Sequence, residues 1–77
     1  MTETIILVTG GFDPIHSGHI AYFKDAKKLG NKLVVGVNSD NWLIKKKGSA
    51  FLPIQQRKEI VSSLAVVEDA IEFEDDE

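Results

Sequence analysis

The chain has 77 residues, 43% of them hydrophobic and 27% charged, with a net charge of −3 and no cysteine. That allows one short domain whose small core gets no help from disulfides, and it supplies no basic field to draw in nucleic acid. No apolar run approaches the roughly 20 residues of a membrane span, and the N-terminus lacks the basic and apolar regions of a secretory signal, so a cytoplasmic protein with neither nucleic-acid nor membrane partners is expected.

Ile5-Ile6-Leu7-Val8 is apolar and rich in β-branched residues, which predicts a buried parallel strand from about Thr4 to Val8 or Thr9. Gly10-Gly11 and Asp13-Pro14 then mark a loop that lasts until His16. Ile20, Phe23, Ala26 and Leu29 recur at helical spacing. Leu29-Gly30-Asn31 ends that helix, with Lys27 and Lys28 in its last turn and Gly30 at the C′ position. Lys32 to Val37 reads as a second buried strand. Asn38-Ser39-Asp40 is a turn whose Asp40 caps a short helix through Trp42, Leu43 and Ile44. Lys45-Lys46-Lys47-Gly48-Ser49 reads as a basic, flexible segment that breaks this helix. Pro53 suits the first turn of a third helix, whose apolar stripe is Ile54, Ile60, Val61 and Leu64. Val66-Val67 and Ala70-Ile71 supply a third strand. The end, Glu72 to Glu77, holds five acids and one Phe and is expected to fray.

Strands separated by helices imply right-handed crossovers and a parallel sheet. The expected fold class is therefore α/β, with strands in the order 3-2-1, helices on both faces, and half of a doubly wound architecture. An open edge on the first strand would be a liability. The expectation is an N-terminal portion of a larger domain, or a chain that dimerises.

Gly10-Gly11-Phe12-Asp13-Pro14-Ile15-His16-Ser17-Gly18-His19 sits where the first strand turns into the first helix, the place where open α/β sheets bind ligands. His16 and His19 are three apart, so a helix start presents both imidazoles on one face. Gly10, Gly11 and Gly18 let a ligand approach the backbone closely. Two donors beside a helix N-terminus suit a phosphate, and they would stabilise the charge that spreads over a phosphorus centre under attack. Without a nearby third ligand the same pair makes a weak zinc site, and no metal-ligating residue is assigned.

The stretch Gly11 to His19 resembles the signature of the nucleotidyltransferase superfamily that carries the HxGH motif. The resemblance extends through Lys28-Leu29-Gly30-Asn31, Val34-Val35-Gly36-Val37-Asn38-Ser39-Asp40, the lysine run, Gln56-Arg57, Val67-Glu68-Asp69 and Phe73-Glu74-Asp75. These are similar to glycerol-3-phosphate cytidylyltransferases and to the adenylyltransferase half of the bifunctional heptose enzymes. The resemblance implies a Rossmann-like fold and transfer of a nucleotidyl group from CTP or ATP to a small phosphorylated polyol or sugar, with release of pyrophosphate. Two other readings stay open: a cofactor-precursor adenylyltransferase, and a non-catalytic nucleotide-binding or dimerisation module. Residue by residue, it implies that His16 and His19 stabilise the α-phosphorus transition state and that Gly10, Gly11, Phe12 and Gly18 line the nucleotide site. Lys46 would neutralise triphosphate charge, with Lys45 and Lys47 next in order. Asp13 would order the loop or the acceptor, and Arg57 would lie near the acceptor phosphate. Trp42 is read as core or as a wall of the acceptor pocket. Family members use Mg²⁺. Full-length members continue with two more strands and a Ser/Thr-rich phosphate motif, which nothing in these 77 residues matches.

Overall fold

The computed structural model describes residues 3–73. In chain order it contains β1 (Ile5–Gly10), α1 (Ser17–Lys27), β2 (Lys32–Asn38), α2 (Asp40–Lys47), α3 (Ile54–Ser62) and β3 (Asp69–Phe73). The three strands form one parallel sheet in the order β1-β2-β3. The α/β class, the parallel pairing and the strand order are those the residue pattern implies.

Alternation along the strands gives the sheet two unlike faces. Val8 pairs with Val35, and Val35 with Ala70, so these three side chains share one face. That face holds the core: Leu33, Val35 and Val37 of β2 cluster with Phe23 and Ala26 of α1 and with Ile54 and Val61 of α3. Both helices lie on this one side. The reason is topological: the chain steps across the sheet twice in the same direction, and two right-handed crossovers then place their helices on the same face. Ile5 and Leu7 point the other way and are 57% and 53% exposed. The expected cover on both faces is therefore found on one, among the described residues, and β1 is half-buried where a fully buried strand was expected.

Several local expectations shift. Helix α1 ends at a right-handed Lys28 (φ −65°, ψ −17°), with Leu29 already outside it and exposed. Among the described residues Gly30 is not left-handed, so it is no C′ glycine. Its need is for close approach, because a Cβ there would meet the Thr4 carbonyl oxygen and Ile6 Cγ1, both at 2.8 Å. Ser39, not Asp40, caps α2: its Oγ accepts the Trp42 N–H at 3.2 Å. The three lysines do not break that helix but form its last turn, where cations oppose the negative end of the helix dipole. Gly48 stops the helix in the left-handed region (φ 89°). Pro53 precedes α3 as its cap residue. Strand β3 starts at Asp69, after Val66 and Val67, which pack on the core. The acidic end from residue 74 lies outside the described residues.

The two faces should differ sharply under mutation. Leu33→Ala removes a fully buried side chain and should cost about 2–5 kcal/mol in denaturant unfolding. Leu7→Ala on the open face should stay within about 0.5 kcal/mol of the parent.

Candidate functional site

The loops that follow β1 and β2 at the C-terminal end of the sheet meet around one side chain. Arg57 of α3 is 1% exposed. Its Nε donates to the Leu52 carbonyl at 2.8 Å. Its Nη1 donates to the Gly11 and Asn38 carbonyls at 2.9 and 2.6 Å. Its Nη2 donates to Asp40 Oδ1 at 2.6 Å. One rigid fork thus joins the β1–α1 loop, the end of β2, the start of α2 and the loop before α3. The guanidinium expected at an acceptor phosphate is turned inward, with its donors committed to the protein itself.

A second tie holds the same loops from the other side. The Asp13 side chain is 1% exposed and accepts from the Phe51 backbone N–H and, at 2.7 Å, from that of Leu52. Lys47 Nζ lies 3.3 Å from Asp13 Oδ2 and donates to the Asp13 carbonyl at 2.8 Å. Burial by itself would push the Asp13 pKa up. The two backbone donors and the Lys47 ammonium outweigh it and hold the carboxyl below its ordinary value. Asp13 thereby ties its own loop to the segment before α3. Lys47 is the lysine that reaches this loop; Lys46 lies over the Trp42 ring, 5.6 Å from its centroid.

The histidine pair closes the N-terminus of α1. His16 is its cap residue, and its Nδ1 accepts the Gly18 N–H at 3.0 Å. The reciprocal bond runs from the His16 N–H to Nδ1 of His19 at 3.1 Å. Two imidazoles here do the work of the Ser/Thr and Glu/Gln of an ordinary capping box. Because each Nδ1 accepts a backbone proton, the ring proton of each neutral imidazole sits on Nε2. The ring centroids are 4.0 Å apart, tilted by 36°. Each Nε2–H is one link beyond a backbone N–H at the positive end of the helix, so the chain of hydrogen bonds polarises it as a donor.

The glycines make room for this arrangement. A Cβ on Gly18 would sit 2.8 Å from His16 Cε1, in the way of the imidazole that folds back over the helix end. One on Gly11 would meet Leu43 Cδ2 at 2.8 Å and Trp42 at 3.6 Å, so its absence lets α2 lie against the loop. Gly10 leaves space for the Phe12 ring. Phe12 takes a left-handed backbone (φ 51°), which costs a non-glycine residue about 1–2 kcal/mol, and its buried ring pays that back in packing. The ring stands edge-on to His19 (centroids 5.1 Å apart, 86°) and to Phe23 (5.2 Å, 67°). It fixes the His19 plane from below. Burial first, and the neighbouring His16 second, push the His19 pKa down, keeping it neutral as the cap requires.

The family model described as cytidylyltransferase-like matches residues 7–77. The chain belongs to the cytidylyltransferase-like family. It is 38% identical over 76 residues to the bifunctional protein HldE of Proteus mirabilis, and 37% identical to that of Escherichia coli K12, covering 96% of this chain in each case. The chain spans 16% of the length of those curated relatives. Its fold is similar to the crystal structure of the lipopolysaccharide core biosynthesis protein from Thermoplasma volcanium, with a TM-score of 0.89 and 36% identity over 94% of this chain and 59% of that one.

The structure brings together Gly10, Gly11, Phe12, Asp13, His16, Gly18 and His19 in one loop and cap, with Lys47 and Arg57 bound to it. Sequence reasoning missed Arg57 as the hub and Ser39 as a cap. Arg57 and Asp40 carry no local signal, being 17 residues apart on different helices.

Two acid-labile ties should be separable. His19 has a folded pKa below its unfolded value near 6.5, so its cap contributes fully above that pH and is lost as pH falls through the folded pKa. Asp13 behaves likewise from about pH 4 downward. Denaturant titrations across pH should show both losses in the parent. His19→Gln should remove the upper one, since Gln keeps the capping acceptor without titrating. Asp13→Asn should flatten the lower one and cost about 1–3 kcal/mol at neutral pH by leaving a backbone N–H poorly paired.

Proposed function

We propose that this chain is the nucleotide-gripping portion of a nucleotidyltransferase that joins CTP or ATP to a small phosphorylated polyol or sugar and releases pyrophosphate. The observation that carries the reading is the paired imidazole cap: two Nε2–H donors, held in one tautomer, at a helix N-terminus. An oxygen of the acceptor phosphate attacks the α-phosphorus in line, a P–O bond to it forms, and the bond to the departing pyrophosphate breaks. Negative charge spreads over the equatorial oxygens during that exchange, and His16 and His19 stabilise it with hydrogen bonds that strengthen as the charge grows. No covalent intermediate is needed, because positioning and charge supply the rate.

The exposed Lys46 ammonium adds positive charge for a phosphate at the edge of the site, while Lys47 is engaged by Asp13. Arg57 acts as a positioning residue that holds the loop carrying the histidines. The family resemblance implies Mg²⁺. Among the described residues no group of three His, Asp or Glu side chains gathers to hold a metal, and the Asp13 carboxylate is occupied. Mg²⁺, when bound, would supply charge neutralisation at the phosphates.

Among the described residues, one sheet face without a covering element and β1 at the sheet edge favour a second reading, a module that binds nucleotide or pairs with a second copy and turns nothing over. Among the described residues no helix is long and apolar enough to cross a membrane.

Pyrophosphate release with Mg²⁺, crossing CTP and ATP with glycerol 3-phosphate and sugar phosphates, tests the reading. Release that depends on one acceptor supports it; nucleotide affinity without release from this chain or a longer form supports the second. In a form that turns over, His16→Ala should lower kcat by about 100-fold or more while nucleotide affinity changes only a few-fold. Equal losses in both would remove the transition-state role.

A further inference from the structure

Among the described residues one non-glycine backbone is left-handed, and it stands beside two glycines that are not. Gly10 and Gly11 could take that conformation without strain, yet Phe12 takes it instead (φ 51°). Backbone strain persists only where the surroundings fix it, so the question is what the strain achieves. Here it sends the Phe12 side chain back beneath the start of α1. A Cβ on Gly10 would lie 2.8 Å from the ring's Cζ and 3.1 and 3.2 Å from its two Cε atoms, so that glycine seats the ring. The seated ring then meets both Phe23 and His19 in perpendicular contacts. Core packing alone does not call for this. Phe23 is fully buried in the same core from the regular backbone of α1, and Phe12 is the core ring that also meets an imidazole.

We infer that Phe12 is a positioning residue for His19, its ring holding that imidazole in the plane that presents Nε2–H to a phosphate. This rests on the nucleotidyltransferase reading above and says how one of its two donors is aimed. The hydrogen bond from the His16 N–H fixes one atom of the His19 ring, Nδ1, and leaves the ring free to pivot about it. The Phe12 contact fixes the plane, and the two restraints together leave Nε2 one direction. A perpendicular aromatic pair sets an angle that an aliphatic contact does not, because the positive edge of one ring meets the negative face of the other. The same ring helps exclude water from His19, and burial is the first cause of its lowered pKa, with His16 second. Of the other charged groups around this loop, Lys47 is paired with Asp13, Arg57 with Asp40, and Lys46 rests over Trp42. At 6% exposure Phe12 offers a ligand little surface of its own, so its effect passes through His19.

Nitrogen NMR of the histidine rings in this chain reads tautomer and titration with no nucleotide present. Shifts of the same signals on adding CTP or ATP test the nucleotidyltransferase reading separately. In the parent at neutral pH, His19 should carry its proton on Nε2. Phe12→Leu keeps an apolar side chain and the strained backbone but removes the aromatic plane. It should lower the Nε2–H population of His19 and move its titration upward. Phe12→Met, closer to Phe in length, makes the same comparison should the Leu variant not fold. Leu33→Ala, in the same core but on β2, should lose stability and leave the His19 signals as in the parent. In a form that turns over, Phe12→Leu should lower kcat about tenfold, with KM for both substrates within about threefold of the parent. His19 signals in the Phe12 variants that match the parent would overturn the inference. Equal changes in Leu33→Ala would also overturn it, by making His19 a passive reporter of core stability. A rise in nucleotide KM with kcat unchanged would place the ring at the nucleotide itself and overturn it too. A His19 response to the Phe12 variants, in a parent whose imidazoles ignore nucleotide, would uphold the positioning and bring down the nucleotidyltransferase reading.

Discussion

The arrangement depends on one buried guanidinium. Arg57 gathers three backbone carbonyls and one carboxylate from four places in the sequence. Parallel strands finish together at the C-terminal end of the sheet, and their loops have no ladder to bind them to one another. A planar fork with fixed donor angles solves this where an ammonium on a flexible stem would not. Burying the charge is costly in itself, and the Asp40 carboxylate, still partly in contact with water, offsets part of that cost. The fold holds a cation here because the loops need several donors at one point.

From that anchor the site follows by short steps. Arg57 holds Gly11, Asp13 holds the segment before α3, and the stretch between them leads into α1 with His16 at its cap. The cap then serves two ends at once. Stabilising the helix uses Nδ1 of each ring, and that use is what frees and orients each Nε2–H. On the proposed function, a stable helix and phosphate recognition therefore draw on the same two side chains. Gly18 is the structural partner of both, since only a bare Cα lets the first imidazole lie back across the turn.

Much of this was legible in the residues. Apolar runs and helical spacing give the six elements in order, and the parallel sheet follows from their alternation. The glycine-spaced histidines at the first strand–helix junction point to the site, because their physics is local: a cap, a turn and a dipole lie within ten residues of one another. What the residues did not disclose is long-range. Arg57 is expected near an acceptor phosphate, and nothing in its neighbours says that a carbonyl 46 residues away will need it. The lysine run reads as a loop because its composition is that of a loop, yet Gly48 and a helix end make it a last turn. That α1 and α3 share one side of the sheet follows from handedness and step direction together. Either alone permits the expected two-sided cover.

The double fastening of the segment before α3 has a consequence for how a ligand is received. Phe51 and Leu52 are tied by their N–H groups to Asp13, and Leu52 by its carbonyl to Arg57. That segment contains no long helix or strand and would normally be the part that folds over a substrate. Here its conformational freedom is surrendered when the chain folds, so little entropy remains to be lost when a ligand docks. On the proposed function, a ligand at this end of the sheet would meet a segment whose backbone these three bonds already hold.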